Sequence, residues 1–314
     1  MRTPSLHCCM VTALGIAFAW GPGAARAAGW EEVAHLPWGD GEGEVGLHAG
    51  DEDELAYGPH GIAVDENGRV AVVDRIGGRV LILGPDGELL ARSGLEGRPG
   101  AAALLADGEV AVLDEAEERT IRRSTAGNLY SPRWALPPTR LVTLDEGDER
   151  RLWGLDAFQQ RLPLASQPTA VEPHQPERGV PATDGALAVV AVRDQNQLVL
   201  RFIAGDGGTE EVRLAVSMDS DERLAGVEVL AVGDDGAVVS YLALDQGVGP
   251  LRTRRVVSWI GRDGEPGATL DVPQPGPVAI PADLAATADG RVYLLRSEAD
   301  GCVLWRVGLK GGGR

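Results

Sequence analysis

The sequence predicts an all-β protein, specifically a six-bladed β-propeller of four-stranded antiparallel blades whose ring is closed by an N-terminal strand. A glycine preceded by Asn, Asp or Glu recurs six times, at Gly68, Gly108, Gly147, Gly185, Gly236 and Gly290. Five of these glycines have a proline nine residues upstream, at Pro59, Pro99, Pro138, Pro176 and Pro281. A repeat of about 40 residues that is built from short apolar runs is typical of propeller blades.

The first unit shows the elements of one blade. Residues 61–65 and 69–74 are apolar runs joined by Asn67-Gly68, the strongest local signal for a hairpin. We expect a type I′ turn there, which needs positive φ at both central residues. Residues 79–83 and 89–92 supply the third and fourth strands, and comparable runs recur in the later units.

The two ends of the chain predict how the ring closes. After Gly290 only two further strands fit, at residues 292–295 and 303–307, so the last blade lacks its outer strand. Residues 30–36 precede the first unit and have no repeat of their own. We expect them to supply the missing strand, which removes an exposed sheet edge. The third and fifth units are irregular, the fifth having Val227 where proline is expected.

The N-terminal residues predict export. Arg2, the apolar run 10–20 and Ala25-Arg26-Ala27 fit a secretory signal peptide over residues 1–27, although a retained anchor is an alternative. The propeller then spans residues 28–310, and residues 311–314 form a disordered tail. We expect a secreted or periplasmic monomer without a further membrane span. Once residues 1–27 with Cys8 and Cys9 are removed, Cys302 is the single cysteine and cannot form an internal disulfide, and we expect it to be a small buried hydrophobe.

The charge of the chain limits its partners. With 47 acidic and 29 basic residues the net charge is −18, which argues against nucleic acid and anionic lipid surfaces as ligands. An acidic chain of this kind is expected to be soluble and to bind a protein or glycan partner.

The first unit also resembles the NHL-repeat family of six-bladed propellers. The likeness lies in Gly58-Pro-His-Gly-Ile-Ala-Val-Asp65, Asn67-Gly-Arg-Val, Asp74 and Arg79-Val, and in the Gly-rich segment 38–47. The resemblance implies the propeller fold. For function it implies protein- or RNA-binding modules or, in a few cases, lyases, and the acidic charge disfavours RNA. Pro59-His60-Gly61 is also similar to a pattern of streptogramin-type lyases, so a catalytic His60 and a surface-loop His60 are both open.

Candidate binding residues follow from the geometry of a propeller. The innermost strand of each blade lines the central channel, so the residue after each repeat proline lies at one channel mouth. Those residues are His60, Gly100, Thr139, Glu177 and Ala282. With their charged and aromatic neighbours, the predicted binding set is His60, Tyr57, Arg98, Arg140, Glu177 and Arg178.

A metal or catalytic site is not indicated. Of the mouth residues only His60 and Glu177 could ligate a metal, and the other histidines show no ligand spacing. Calcium would accept the oxygens of residues 51–54, but the liganding Gly and Glu of an EF-hand loop are missing, which favours a solvated loop and no cofactor.

Another recurrence combines Asp74, Asp114 and Asp156 with an arginine five residues later, Arg79, Arg119 and Arg161. It is interpreted as an aspartate that holds the backbone of the next turn while the arginine closes the same loop, and an acidic ring on one face is the alternative.

These observations favour an exported binding scaffold over an enzyme. The alternative is a divalent-metal-dependent lyase or lactonase with its site at the channel mouth, where His60 and Glu177 would act.

Overall fold

Six antiparallel sheets are arranged around a central axis as a six-bladed β-propeller, which confirms the predicted fold. The computed structural model describes residues 29–310 except for 52–54, 96, 106–108, 118–119, 124–128, 131–137, 147–148, 157, 165, 168–177, 183–184, 186, 195, 217–221 and 246–251. The predicted signal peptide and tail lie outside the described residues.

The strands occur blade by blade along the chain after β1 (Glu31–Pro37). Blade one contains β2 (Gly61–Val64), β3 (Val70–Asp74), β4 (Arg79–Leu83) and β5 (Leu89–Gly94). Blade two contains β6 (Pro99–Leu104), β7 (Val110–Asp114), a 3₁₀ turn (Glu115–Glu117), β8 (Thr120–Arg123) and β9 (Leu129–Tyr130). Blade three contains β10 (Arg140–Glu146), β11 (Glu149–Leu155) and β12 (Arg161–Pro163), which are three strands among the described residues.

The second half of the chain repeats the order. Blade four contains β13 (Val180–Pro181), β14 (Leu187–Asp194), β15 (Gln197–Ala204) and β16 (Thr209–Ala215). Blade five contains β17 (Glu222–Gly233), β18 (Gly236–Asp245), β19 (Arg252–Gly261) and β20 (Pro266–Asp271). Blade six contains β21 (Leu284–Ala286), β22 (Arg291–Ser297) and β23 (Gly301–Gly308), and its fourth strand is β1.

The N-terminal strand closes the ring as predicted. β1 pairs antiparallel with β23, so that Glu31 lies opposite Arg306 and Leu36 lies opposite Cys302. Leu36 is buried in the core between blades six and one. The first and last strands of the propeller are therefore joined by a sheet rather than left as two free edges.

Gly68, Gly185 and Gly290 lie where the first strand of a blade turns into the second, but the type I′ turn predicted at Asn67-Gly68 is wrong. Gly68 N donates to Asp65 O at 3.0 Å and Asp65 N donates to Arg69 O at 3.1 Å, which defines a three-residue loop. Gly68 has a φ of 82°, whereas Asn67 has no positive φ. A three-residue hairpin loop needs the left-handed conformation only at its last residue, which explains the glycine without a type I′ turn.

The core is a ring of layers between neighbouring blades. Val73 and Val80 of blade one pack against Leu104 and Val112 of blade two, and equivalent layers separate the other blades. In blade one the second and third strands are buried along their whole length, whereas every residue of the outer strand β5 is exposed or half-buried. No helix in the described part of the chain has the length and apolar character needed to cross a membrane.

Candidate functional site

One face of the ring gathers the residues that the sequence singled out. Because the strands of each blade are antiparallel, first strands begin where second strands end, and these points share a face with the connections between blades. We call this the mouth face. The opposite face carries the Gly68 and Gly290 turns.

The central channel extends from the mouth face to the turns of the opposite face, where Glu66 and Ala288 line it. Its walls come from the first strands of all six blades and enclose a cavity of about 370 Å³. Alanines supply much of the wall, among them Ala63, Ala102, Ala231 and Ala285. Small side chains on the inner strands leave the space open, and charged side chains line it toward both faces of the ring.

The first charged group at the mouth surrounds His60. Its backbone is fixed, because His60 N donates to Val73 O at 2.8 Å and Ala282 N donates to His60 O at 2.9 Å. Nδ1 of His60 lies 3.5 Å from Glu115 Oε1 and makes no hydrogen bond. Glu115 also pairs with Arg75 at 3.0 Å and with Arg98 at 3.5 Å. Burial lowers the pKa of His60 below its ordinary value, although the Glu115 charge opposes that shift.

These residues do not fit a divalent metal. Among the described residues at this group only His60 and Glu115 could be ligands, and two guanidinium groups already hold the Glu115 carboxylate. Within the described ranges no group of three or more His, Cys, Asp or Glu is placed to hold a metal ion. Glu177, the other predicted ligand, lies outside the described residues.

The second charged group at the mouth joins blades three, five and six. Arg140 donates to the carbonyl oxygens of Val229 and Leu230, to the latter at 2.8 Å. These carbonyls lie at a β-bulge of β17, where the register with β18 shifts between Val229 and Ala231. A bulge leaves a residue without its ladder partner, so Arg140 satisfies backbone acceptors there. Burial lowers the pKa of Arg140, which nevertheless stays charged.

Arg255 is the second cation of this group. Its Nη1 donates to Asp283 Oδ1 at 2.5 Å and its Nε donates to Ser240 Oγ at 3.1 Å. Burial raises the pKa of Asp283, and the Arg255 charge opposes that shift. Glu228 lies between the two arginines, 3.6 Å from Arg140 Nη1 and 3.9 Å from Arg255 Nη2.

The other predicted residues do not join either group. Tyr57 packs its ring against His48 with centroids 4.5 Å apart, and its backbone bridges to Ala279. Arg178 is exposed and bridges through its backbone to Gln160. Both lie in connections between blades, so they belong to the mouth face, but their described contacts do not include the charged groups.

Sequence reasoning missed five residues at the mouth: Arg75, Glu115, Glu228, Arg255 and Asp283. The repeat could have identified Glu228, because Glu228 precedes Gly236 by eight residues, as His60 precedes Gly68. Arg75 and Glu115 directly follow the recurring aspartates Asp74 and Asp114. Arg255 comes from a third strand and reaches inward, which no repeat position indicates.

The recurring aspartates have structural roles. Asp74 accepts hydrogen bonds from Gly77 N at 2.9 Å and from Arg79 Nε at 2.7 Å. Asp156 accepts from Phe158 N and Gln160 N. In blade two Asp114 accepts from Ala116 N and from Arg122 Nε, and the predicted partner Arg119 lies outside the described residues. The interpretation of the aspartates as holding the next turn is therefore confirmed, and the predicted closure by an arginine five residues later is shown for Asp74 and Arg79.

Two large apolar side chains stand out on the mouth face. Leu55 is 85% exposed in the connection between β1 and β2, and Phe158 is 63% exposed in the turn between β11 and β12. The next residue, Gln159, has a φ of 60° and is the one non-glycine residue with positive φ in the described ranges.

Comparison with known proteins adds neighbours in fold. No family model matches the chain, so membership of the NHL family is not confirmed, and no curated protein matches it. The chain is similar to hydrazine synthase of Kuenenia stuttgartiensis, with 13% identity, 79% of this chain and 78% of that chain covered, and a TM-score of 0.43. It is similar to virginiamycin B lyase from Staphylococcus aureus, with 15% sequence identity, 75% of this chain and 76% of that chain covered, and a TM-score of 0.37. It is also similar to a putative gluconolactonase, with 12% sequence identity, 91% of this chain and 93% of that chain covered, and a TM-score of 0.40. At these scores none of the likenesses decides what the chain does.

Proposed function

We propose that the chain is an exported binding scaffold that docks a protein partner on its mouth face. The observation that carries the proposal is the exposure of Leu55 and Phe158 on that face. Isolated exposed leucines are common on protein surfaces, but two large apolar side chains that flank a charged mouth are typical of interaction sites.

The charges of the same face favour a partner with acidic groups. Arg98 is mostly exposed and Arg178 is exposed, although the chain as a whole has a net charge of −18. Arginine and aromatic side chains are both enriched at energetically important contacts. A protein surface with carboxylates around an apolar centre would complement this arrangement better than a neutral glycan, which offers nothing for Leu55.

The lyase or lactonase alternative is less favoured. The described residues around His60 do not fit a divalent metal, and both arginines near Glu115 compete with any cation. We therefore favour binding over metal-assisted chemistry.

Partner capture with matched variants tests the proposal. The tagged chain beginning at residue 29 is used to capture proteins from envelope extract after cross-linking, alongside Leu55→Ser/Phe158→Ser. The control is Leu90→Ser, because Leu90 is 51% exposed on the outer strand β5, away from the mouth. We expect one protein to be captured by the wild type and by the Leu90 variant but not by the double variant.

Two outcomes would contradict it. Equal capture by the double variant would remove the mouth face as the docking surface. Binding on a glycan array, abolished by the double variant and without a captured protein, would assign the face to a glycan.

A further inference from the structure

The two arginines at the channel mouth are held independently of the carboxylate between them. Arg140 is fixed by the carbonyl oxygens of blade five, and Arg255 is fixed by Ser240 and Asp283. Neither set of contacts involves Glu228. Guanidinium groups fixed in this way are preorganised for an anion, since no further ordering is needed when the anion arrives.

Glu228 is a loosely held counter-ion. Its oxygens are 3.6 Å from Arg140 Nη1 and 3.9 Å from Arg255 Nη2, and no hydrogen bond joins its carboxylate to either. Its side chain is 46% exposed. Half-exposed ion pairs of this length contribute little to stability, so another carboxylate can take the place of Glu228 at low cost.

The part of the channel next to the two arginines is lined by alanines and suits a short apolar group, whereas Asp65 and Glu66 line its far end. Arg140, Glu228 and Arg255 line the same cavity of about 370 Å³ as the alanines of the inner strands. A molecule with a carboxylate at one end and a short hydrocarbon chain would meet both features. An amine offers no acceptor to the two guanidinium groups at the same place, because ammonium and guanidinium groups both only donate hydrogen bonds.

We propose that the channel binds a small aliphatic carboxylic acid. The ligand carboxylate lies between the Arg140 and Arg255 guanidinium groups, Glu228 turns outward to solvent, and the hydrocarbon chain enters the channel between Ala102, Ala231 and Ala285. Arginine favours such a site because its planar donors match a carboxylate. The site goes beyond the docking surface proposed above and does not depend on it, since it uses neither Leu55 nor Phe158.

Calorimetric titration with hexanoate, hexanol and hexylamine tests the site. We expect hexanoate to bind, hexanol to bind at least tenfold more weakly, and hexylamine to show no binding. Acetate should bind more weakly than hexanoate, because it leaves the channel unfilled.

Glu228→Gln gives the sharpest test, because removing the competing carboxylate should lower the Kd for hexanoate by about three- to tenfold. Glu210→Gln is the matched control, since Glu210 pairs with Arg262 in the exposed outer region of blades four and five. Ala102→Leu should raise the Kd by filling the channel, whereas Ala91→Leu on the exposed outer strand β5 should leave it unchanged.

The proposal is overturned if hexanol binds as tightly as hexanoate, if the wild type does not bind hexanoate, or if Glu228→Gln leaves the Kd unchanged or raises it. Melting curves of each variant establish that it is folded. Loss of hexanoate binding with intact partner capture would overturn this site alone, and the reverse result would overturn only the docking surface.

Discussion

Arg79 Nε donates a hydrogen bond of 2.7 Å to Asp74 Oδ2 inside blade one, and both side chains are almost completely buried. The remaining Arg79 donors reach the carbonyl oxygens of Gly39, Asp40 and Glu44. This single guanidinium thus ties the Gly-rich segment before blade one to the second strand of that blade.

Removing the Asp74 carboxylate should therefore destabilise the protein strongly. Asp74→Ala leaves a buried guanidinium without its counter-ion, and we expect the free energy of unfolding to fall by about 3–5 kcal/mol. Urea denaturation followed by tryptophan fluorescence measures it. Asp194→Asn is the control, because its pair with Arg213 is about half exposed and its loss should leave the midpoint near that of the wild type. Equal midpoints for the two variants would contradict the prediction.

Gln159→Gly should stabilise the protein. Asp156 and Gln160 close the same three-residue loop as Asp65 and Arg69, but Gln159 occupies the position that glycine takes elsewhere. The left-handed conformation costs a non-glycine residue about 1–2 kcal/mol, and glycine removes this strain. Glycine also gives the unfolded chain more conformational freedom, which offsets part of the gain in stability. We expect a net gain of about 0.5–1 kcal/mol in the free energy of unfolding.

The reverse substitution is the matched control for Gln159→Gly. Gly207 has a φ of 84°, and no heavy atom lies within 4 Å of the position that a Cβ would take there, so Gly207→Ala tests backbone strain without a steric clash. It should destabilise the protein by about 1 kcal/mol. If both variants shifted the urea midpoint in the same direction, strain at Gln159 would not be the cause.

His60→Gln should weaken the dependence of stability on pH. Because burial holds the pKa of His60 below the value of about 6.5 in the unfolded chain, the unfolded state takes up the proton first on acidification. The stability contributed by neutral His60 is present above about pH 6.5 and is lost as the pH falls through the folded-state pKa.

Melting temperatures between about pH 5 and pH 7.5 measure this effect. The decline of the wild type toward acid pH should be shallower in His60→Gln. Glu115→Gln should make it steeper, because the Glu115 charge raises the pKa of His60. Parallel curves for the three proteins would show that His60 does not titrate as described.

Cys302 should react only when blade six opens. Burial raises the pKa of its thiol to about 12, and the nearby Asp74 charge adds to the shift. The residue is the only cysteine in a chain beginning at residue 29, so labelling with a thiol reagent reports on one site. We expect negligible labelling of the native chain and a large increase for Leu36→Ala, which weakens β1 opposite Cys302. Rapid labelling of the wild type would contradict this placement.

Much of the fold could be predicted because each blade is a local repeat. The turn positions and the strands after Arg79 and Gln197 follow from neighbouring residues in the chain. The turn type could not be predicted, because Asn67-Gly68 is compatible with both a two-residue and a three-residue loop. The hydrogen bonds of Asp65 and Gly68 show the three-residue loop. Arg140 was found as a mouth residue, but its contact with a bulge 89 residues away depends on the closed ring.

The site was harder to predict than the fold for the same reason. His60 occupies a repeat position and is visible in the sequence, whereas Arg255 and Asp283 meet only because a third strand of one blade reaches the first strand of the next. Contacts between blades are set by the packing of sheets, which single-blade patterns do not encode.

The pairing of Glu31 with Arg306 has a consequence for synthesis. β1 is synthesised before the other propeller strands but pairs with β23, which is synthesised last among them. Blade six therefore cannot form until nearly the whole propeller has been synthesised. Until then the apolar residues of β1 that are buried in the folded protein, such as Leu36, are exposed to solvent. Such a long-range pairing slows folding, because the loop between the two strands must close before its contacts stabilise it.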